Sequence, residues 1–362
     1  MNQGRFCFAF LLWLLLITLV ADAASLRWKK ILDGVHVWCI TPDPEGPFIY
    51  LGTVNEGILV TEDRGRSWSK RNNGIPLPGT IVNIAIDPQN AAILYAIRNG
   101  DLYKSTDRGL SWAMIKKSVS MGLIINPKNP DIIYAGEYKS EDGGRSWEKY
   151  FDGVDGSFPP YRIAIDPKEE NTIYVVTFSA RAFKSEDGGR SWKRIKVEGE
   201  EELYQIVVSP IRDGVLYACG KKGVYKSEDG GERWNLMEGG LPKGASGDYL
   251  LIDPVDPQVV YVGLRGEGIF RSVDEGESWE PLGEGFQSVG VAGLAISKWD
   301  PNYLYASGGG SVWRLELAPR RLFHLVSPLG KLLYMWGGIK MDKGLKSFKK
   351  RGEEVWFRDT SS

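Results

Sequence analysis

The sequence predicts an all-β fold, a seven-bladed β-propeller, on three observations. The first is an octapeptide of the form S/T-x-D-x-G-x-x-W, which occurs six times between Thr61 and Trp279. The second is its spacing, since successive motif aspartates are separated by 44, 35, 45, 42 and 45 residues, the period of a propeller blade. The third is that short β-rich runs bounded by turn residues surround each copy.

The repeated octapeptide has the composition of a tight, hydrogen-bonded turn. Its hydroxyl and carboxylate can accept hydrogen bonds from backbone N–H groups, its Gly supplies positive φ, and its Trp buries a large ring. The residue before Trp is Ser in every copy but the fifth, where it is Arg233. We therefore expect a structural role for the six aspartates, which are Asp63, Asp107, Asp142, Asp187, Asp229 and Asp274.

Counting strands predicts seven blades and a closed ring. Groups of three inner strands begin near Val37, Ile81, Gly122, Tyr161, Tyr204, Tyr249 and Val291, but outer strands begin only at Trp68, Trp112, Trp147, Trp192, Trp234 and Trp279. The segment from Trp28 to Gly34 resembles the one that follows an octapeptide, so we expect it to complete the last blade. This pairing leaves no open sheet edge. The third unit lacks about eight residues between Tyr134 and Tyr138 by comparison with the other units, which predicts a truncated inner hairpin.

The chain is expected to have three parts. Residues 1–23 have the features of a secretory signal peptide, with Arg5, an apolar run from Cys7 to Val20 and a small-x-small site at Ala21 to Ala23. An uncleaved anchor helix is the alternative. Residues 24–318 form the propeller and residues 319–362 a basic C-terminal extension. The protein is therefore predicted to be secreted or periplasmic.

Composition excludes several kinds of site. The formal net charge of −1 and the pI of about 6.3 argue against a nucleic-acid surface. The two histidines, His36 and His324, cannot form a His-based metal site unaided, so no metal and no cofactor are expected. Cys39 and Cys219 fall in distant blades, and we expect both to be thiols.

The C-terminal extension combines an apolar patch, Leu329 to Trp336, with a cluster of basic residues. These are Lys340, Lys343, Lys346, Lys349, Lys350 and Arg351. One interpretation is a loosely docked extension. The other is an interfacial segment that makes peripheral contact with anionic lipid or with a partner.

The repeats resemble those of the Asp-box (BNR) β-propeller superfamily, over roughly Arg27 to Leu317. That superfamily includes sialidases, sortilin-type receptors, tandem-propeller xyloglucan hydrolases and photosystem II assembly factors. The resemblance implies that the boxes lie on outer turns, away from the binding face. The ligand face is then built from second-to-third-strand hairpins and blade-to-blade loops.

Those loops carry cations and aromatic residues, which together form the predicted cationic rim. Its candidate ligand-binding residues are Arg98, Arg181, Lys221, Lys222, Arg265, Tyr161, Tyr204 and Tyr249. Guanidinium groups recognise carboxylate, phosphate or sulfate, and aromatic rings stack on sugars or peptides. The alternative for any single residue is a solvated hairpin tip. The seventh blade offers only glycines and a serine, Gly308 to Ser311.

Two functions remain open. The first is an exported, non-catalytic propeller that binds a protein or glycan partner, with anionic groups, through the cationic rim; in size it is most similar to the photosystem II assembly factors. The second is a carbohydrate-active enzyme, sialidase-like or xyloglucanase-like, acting on an acidic glycan. Tyr161-Arg162-Ile163-Ala164 is similar to the sialidase Y/F-R-I-P signature, but its last residue differs. A glycosidase needs two facing carboxylates, and the sequence does not pair Glu56, Asp155, Asp248 or Glu267.

Overall fold

The computed structural model describes residues 26–152, 158–199, 202–286, 290–317, 346–350 and 353–357. The predicted signal peptide and most of the C-terminal extension lie outside these residues. The chain divides into two units, Met1–Glu316 and Leu317–Ser362. In the second unit, β29 (Lys346–Lys350) pairs antiparallel with β30 (Glu353–Phe357).

The first unit is a seven-bladed β-propeller, as predicted, and each blade is a four-stranded antiparallel sheet. The strand that completes the last blade is β1 (Lys29–Asp33). Blades one to three consist of β2 (Val37–Pro42), β3 (Ile49–Thr53), β4 (Ile58–Thr61) and β5 (Ser69–Lys70); β6 (Ile81–Ile86), β7 (Leu94–Arg98), β8 (Asp101–Ser105) and β9 (Ala113–Lys116); and β10 (Leu123–Ile125), β11 (Ile133–Ala135), β12 (Tyr138–Ser140) and β13 (Glu148–Lys149).

Blades four to seven repeat the same order from the inner to the outer strand. They consist of β14 (Pro160–Ile165), β15 (Ile173–Thr177), β16 (Ala182–Ser185) and β17 (Lys193–Ile195); β18 (Leu203–Val208), β19 (Leu216–Gly220), β20 (Gly223–Ser227) and β21 (Asn235–Leu236); β22 (Gly247–Ile252), β23 (Val260–Leu264), β24 (Gly268–Ser272) and β25 (Glu280–Pro281); and β26 (Gly293–Ile296), β27 (Tyr303–Gly308) and β28 (Ser311–Glu316) with β1.

The ring closes through the N-terminal strand, which confirms that prediction. β1 pairs antiparallel with β28, from Lys29 opposite Arg314 to Asp33 opposite Ser311. Trp28, 4% exposed, precedes this strand, and its indole Nε1 donates a hydrogen bond to the Leu282 carbonyl at 2.8 Å. Because both chain ends of the propeller share one sheet, no described blade lacks its fourth strand.

The third blade has the expected short inner hairpin. Its strands β10, β11 and β12 have three residues each, and only Gly136 and Glu137 connect the last two. The Glu137 carboxylate accepts a hydrogen bond from the Ser120 hydroxyl at 2.9 Å. The inner hairpin of the seventh blade has its full length, but its tip carries no side chains, since it consists of Gly309 and Gly310.

All six octapeptides form the turn between the third and fourth strands, and most of their hydrogen bonds follow one pattern. The exceptions are the fifth copy, which has Arg233 in place of the last serine, and the first, whose Trp68 indole donates to the Ile31 carbonyl. In the second copy, the Ser105 hydroxyl donates to the Asp107 carboxylate at 2.7 Å and accepts from the Gly109 amide at 2.8 Å. The other Asp107 oxygen accepts from the Ser111 hydroxyl. The Trp112 indole donates to the Gly109 carbonyl at 3.0 Å.

The same turns also join neighbouring blades. A buried tyrosine on the second strand donates its hydroxyl to a backbone carbonyl in the octapeptide of the next blade. These pairs are Tyr50 with Arg108, Tyr95 with Gly143, Tyr134 with Gly188, Tyr174 with Gly230 and Tyr217 with Glu275, at 2.9 to 3.5 Å. The octapeptide therefore connects consecutive blades as well as closing a turn.

These turns should make stability depend on pH in the acid range. The pKa values of Asp107 and Asp187 are lowered from 3.8 to about 2 by hydrogen bonds. The largest contributions come from the Ser111 hydroxyl for Asp107 and from the Ser191 hydroxyl for Asp187. A carboxyl group whose pKa is lower in the folded state stabilises the fold above its unfolded value. We expect the contribution of these carboxylates to the free energy of unfolding to stay constant above about pH 4 and to decrease as the pH drops toward 2. Urea denaturation at pH 5, 4 and 3 measures this.

Ser111→Ala tests the source of the effect. The variant loses the hydrogen bond from the Ser111 hydroxyl to Asp107, so it should be less stable at pH 7 by on the order of 1 kcal/mol. Its further loss of stability on acidification should be smaller than that of the wild type, because the Asp107 pKa moves back toward 3.8. Arg233→Ala is the matched control, since the fifth octapeptide has no hydroxyl at this position. Equal acid sensitivity of Ser111→Ala and wild type would contradict the assignment.

Candidate functional site

The inner strands carry a β-bulge at one shared position. The pairing register shifts between the first and third residue of β2, β6, β14, β18 and β22, so the second residue is unpaired. A bulge turns a side chain away from the regular pleat, and bulges are frequent next to binding sites. The residues displaced in this way are Trp38, Val82, Tyr161, Tyr204 and Asp248.

Four of these bulge residues surround one depression of about 430 Å³, which we call the mouth. Blades one, four, five, six and seven contribute to it. The residues lining the mouth are Trp38, Tyr161, Arg162, Tyr204, Asp248, Arg265, Gly290, Val291, Ala292, Gly308 and Gly309. The glycines of the seventh blade leave the mouth open on that side.

Asp248 is the carboxylate that lines the mouth, and both of its oxygens are held. One accepts hydrogen bonds from the Arg265 guanidinium, at 3.0 Å from Nε and 2.7 Å from Nη2. The other accepts the Val291 backbone N–H at 3.2 Å. The Asp248 side chain is only 8% exposed. Two hydrogen-bonded sides fix its orientation, and the ion pair raises the pKa of Arg265.

A second carboxylate, Glu202, lies beside Tyr204. The Tyr204 hydroxyl donates to Glu202 Oε2 at 3.2 Å, and Lys221 Nζ lies 2.6 Å from Glu202 Oε1. The hydrogen bond from Lys221 is the main reason that the pKa of Glu202 is lowered. The Arg265 guanidinium lies 5.9 Å from the centre of the Tyr204 ring. Polar contacts thus run from Asp248 through Arg265 and Tyr204 to Glu202.

Arg162 lies between aromatic rings. Its guanidinium carbon is 4.6 Å from the centre of the Tyr249 ring and 5.1 Å from that of Tyr161. Tyr161 in turn packs against Phe178, with ring centres 5.2 Å apart. The buried Arg162 Nε has no hydrogen-bond partner. These contacts place a cation on the wall of the mouth.

The structure does not gather all the predicted rim residues into one cluster. Tyr161, Tyr204 and Arg265 line the mouth. Arg181 and Lys222 instead line a separate depression of about 350 Å³. The Lys222 ammonium donates to the Gly199 carbonyl at 2.6 Å.

Two further rim residues are engaged locally. Arg98 Nη2 donates to the Pro78 carbonyl at 2.6 Å, in the loop that leads into its own blade. Lys221 pairs with Glu202, as described above. Tyr249 does not line the mouth itself, but its ring lies against Arg162, which does. The predicted ring of cations is therefore divided into the mouth, the separate depression and single hairpin tips.

Sequence reasoning missed three members of the site. From the sequence, Trp38 is not a candidate, Asp248 is only an unpaired loop carboxylate, and Arg162 belongs only to a sialidase-like signature. A sequence signal for the bulge exists. Each bulge residue stands five positions before the Asp or Ser that begins the next turn, as Trp38 does before Asp43 and Tyr204 before Ser209.

Metal and membrane features were searched over the described residues only. No group of three or more His, Cys, Asp or Glu side chains there could hold a metal ion. The described strands and turns also contain no helix of the length and apolarity that a membrane crossing needs. Cys39 and Cys219 are both thiols, and burial raises the pKa of Cys39 to about 12.

Known proteins are similar to the chain at low identity. No protein-family model matches the sequence. Xyloglucanase Xgh74A of Acetivibrio thermocellus is 26% identical over 209 residues, covering 53% of this chain and 20% of that protein. Xyloglucanase of Hypocrea jecorina is 25% identical over 300 residues, covering 70% of this chain and 34% of that protein. The chain thus spans at most about a third of these curated relatives.

Solved structures agree on the fold. The GH74 xyloglucanase from Xanthomonas campestris superposes with a TM-score of 0.65 at 19% identity, over 85% of this chain and 55% of that chain. YCF48 from Cyanidioschyzon merolae superposes with a TM-score of 0.62 at 13% identity, over 80% of this chain and 99% of that chain. At these identities the likeness shows the fold alone.

One prediction is corrected by these comparisons. The chain was expected first to be a non-catalytic scaffold, with a glycoside hydrolase as the alternative. The two curated relatives described above are both named xyloglucanases. The scaffold prediction is therefore wrong, and the glycoside hydrolase alternative is the better supported of the two.

Proposed function

We propose that this chain is a carbohydrate-active propeller that binds a polysaccharide of the xyloglucan type at the mouth and hydrolyses its glycosidic bonds. The observation that carries the proposal is the mouth itself, where three bulge residues with aromatic rings surround an oriented carboxylate. The xyloglucanase names of the curated relatives support the choice of substrate class.

The aromatic walls suit a sugar chain. Trp38 is 40% exposed, and it shares the mouth with Tyr161 and Tyr204. Exposed aromatic rings offer flat apolar faces on which the C–H face of a pyranose can pack, while their polar atoms hydrogen-bond to hydroxyls. A volume of about 430 Å³ is within the range of small-ligand sites. The mouth therefore holds one or two sugar units of a longer chain.

The hydrolytic step needs two carboxyl groups. Asp248, fixed as a hydrogen-bond acceptor by Arg265 and Val291, suits the role of base or nucleophile. Glu202 is the second carboxyl group beside the mouth. Because Lys221 lowers its pKa, Glu202 can act as a proton donor only in its minor protonated form at neutral pH. Hydrolysis should accordingly become faster as the pH falls toward the pKa of Glu202.

Trp38→Ala tests the binding half of the proposal. Loss of a large aromatic face should weaken binding of a xyloglucan oligosaccharide about tenfold or more. Isothermal titration of the full chain measures the affinity, and release of reducing ends from xyloglucan measures turnover. Trp299→Ala is the matched control, because Trp299 is 61% exposed and lies in the bend after the inner strand β26, at the end of the strand away from the mouth.

The affinities of these two variants decide whether the mouth binds the glycan. Weaker binding in Trp38→Ala with unchanged binding in Trp299→Ala supports the mouth as the glycan site. Equal affinity in Trp38→Ala and wild type contradicts it. Secretion through residues 1–23 and peripheral membrane contact through the C-terminal extension remain predictions from the sequence.

A further inference from the structure

The charge on Arg162 is not balanced by a carboxylate among the described residues. Its close contacts are the Tyr161 and Tyr249 rings, at 5.1 Å and 4.6 Å from the guanidinium carbon, and the neutral Tyr249 hydroxyl, which accepts a hydrogen bond from it. Ring faces attract a cation but carry no net charge. The Cys39 thiol is near, but burial raises its pKa to about 12, so it is not an anion at neutral pH. The positive charge of Arg162 is thus left for a ligand.

Arg265, the neighbouring cation of the mouth, differs from Arg162 because it has a carboxylate partner. Arg265 directs Nε and Nη2 to the Asp248 carboxylate. The Arg162 Nε, in contrast, is buried without any hydrogen-bond partner. A buried donor left unpaired is costly, and a charged one more so. The Nε–H and an Nη–H on one edge of a guanidinium form the fork that a carboxylate accepts in a bidentate pair.

The space beside Arg162 can receive such a group. Gly290, Gly308 and Gly309 line the same mouth and contribute no side chains there. Trp38 and Tyr204 supply walls on which a sugar ring can pack. A ligand held here would place a sugar on the aromatic walls and an acidic substituent against Arg162.

We propose that Arg162 forms a carboxylate subsite in the mouth, which recognises a uronic acid unit of the bound glycan. This inference rests on the proposed function, because it names the charge of the substrate that the same site takes. The guanidinium pairs with the carboxylate at C6 of the uronic acid, while the ring packs on the aromatic walls. The subsite selects acidic over neutral glycan chains.

The test compares two ligands that differ only in this group. The full chain is titrated with a xyloglucan oligosaccharide and with the same oligosaccharide after its terminal C6 hydroxyl has been oxidised to a carboxylate. We expect the wild type to bind the oxidised form about tenfold more tightly, as a charged hydrogen-bonded pair provides. Arg162→Gln should lose this preference, because its amide carries no charge to pair with the carboxylate. Arg181→Gln, in the separate depression, should retain the preference.

Arg162→Lys keeps the positive charge but lacks the paired N–H donors of the guanidinium. Its preference for the oxidised oligosaccharide should therefore lie between those of wild type and Arg162→Gln. A circular dichroism spectrum of each variant identifies any failure to fold. No preference in the wild type, or an equal preference in a folded Arg162→Gln, overturns the subsite. In either case, binding of the neutral form leaves the proposed function intact. Failure to bind both sugars, together with binding of a peptide through its C-terminal carboxylate, overturns the subsite and the proposed function together.

Discussion

Trp28→Ala should destabilise the propeller by about 3 to 5 kcal/mol, the range for removing a large buried aromatic side chain. The Trp28 ring is 4% exposed and lies 5.4 Å from the ring of Phe286. Its Nε1 is also the donor to the buried Leu282 carbonyl at 2.8 Å, so the substitution leaves that acceptor unpaired. The residue precedes the strand that closes the ring, and its loss therefore weakens the joint between the sixth and seventh blades.

Urea denaturation followed by tryptophan fluorescence and by circular dichroism measures the effect. Trp28→Phe keeps an aromatic ring but loses the indole N–H, so its cost should be smaller than that of Trp28→Ala. Lys29→Ala is the control on the adjacent, exposed position of the same strand and should change stability little. A loss below about 1 kcal/mol in Trp28→Ala would show that ring closure does not depend on this side chain.

Asp248→Asn should lower the rate of xyloglucan hydrolysis by about 100-fold or more, the usual contribution of a positioned acid or base. The amide has nearly the same shape as the carboxylate, and its oxygen can still accept from Arg265 or from Val291. The variant should therefore fold and still bind the oligosaccharide. Because Asn cannot take up or share the charge of the carboxylate, the effect should be on kcat with little change in KM.

Asp213→Asn is the matched control for Asp248→Asn. Asp213 forms a 2.5 Å ion pair with Lys168, and its side chain is 83% exposed. Turnover should be unchanged in this variant. If Asp248→Asn hydrolyses xyloglucan at the same rate as the wild type, the catalytic assignment of this residue is wrong. Absence of turnover in the wild type, with binding that still depends on Trp38, would refute hydrolysis and leave glycan binding standing.

The fold could be predicted from the sequence because its determinants are local and repeated. The octapeptide specifies a turn through residues at most four positions apart, as in the hydrogen bonds among Ser105, Asp107 and Ser111. The closing strand was also predictable, since the segment after Trp28 resembles an outer strand and one blade lacked such a strand. The short third blade follows from a missing length of chain.

The site is harder to predict from the sequence because it depends on the directions in which side chains point. Arg98 and Arg265 occupy equivalent hairpins, yet Arg98 folds onto the Pro78 carbonyl while Arg265 reaches Asp248. The two arginines stand one position apart in their hairpins, because Arg98 is the last residue of β7 and Arg265 follows the end of β23. The partner that each side chain reaches is set by the neighbouring loop rather than by the hairpin itself. The bulge at the second residue of the inner strand also escapes an alternation rule, because it moves Trp38 out of the regular inside–outside pattern.

The short hairpin of the third blade and the glycine tip of the seventh have a consequence for how a long polymer could be cut. In a ring of seven, these two blades stand nearly across from each other, the third with a truncated hairpin and the seventh with a tip of two glycines. A linear chain can enter over one of these blades and leave over the other. We expect an endo-type product pattern, in which long fragments appear before short ones. Size-exclusion profiles at early reaction times would reveal it.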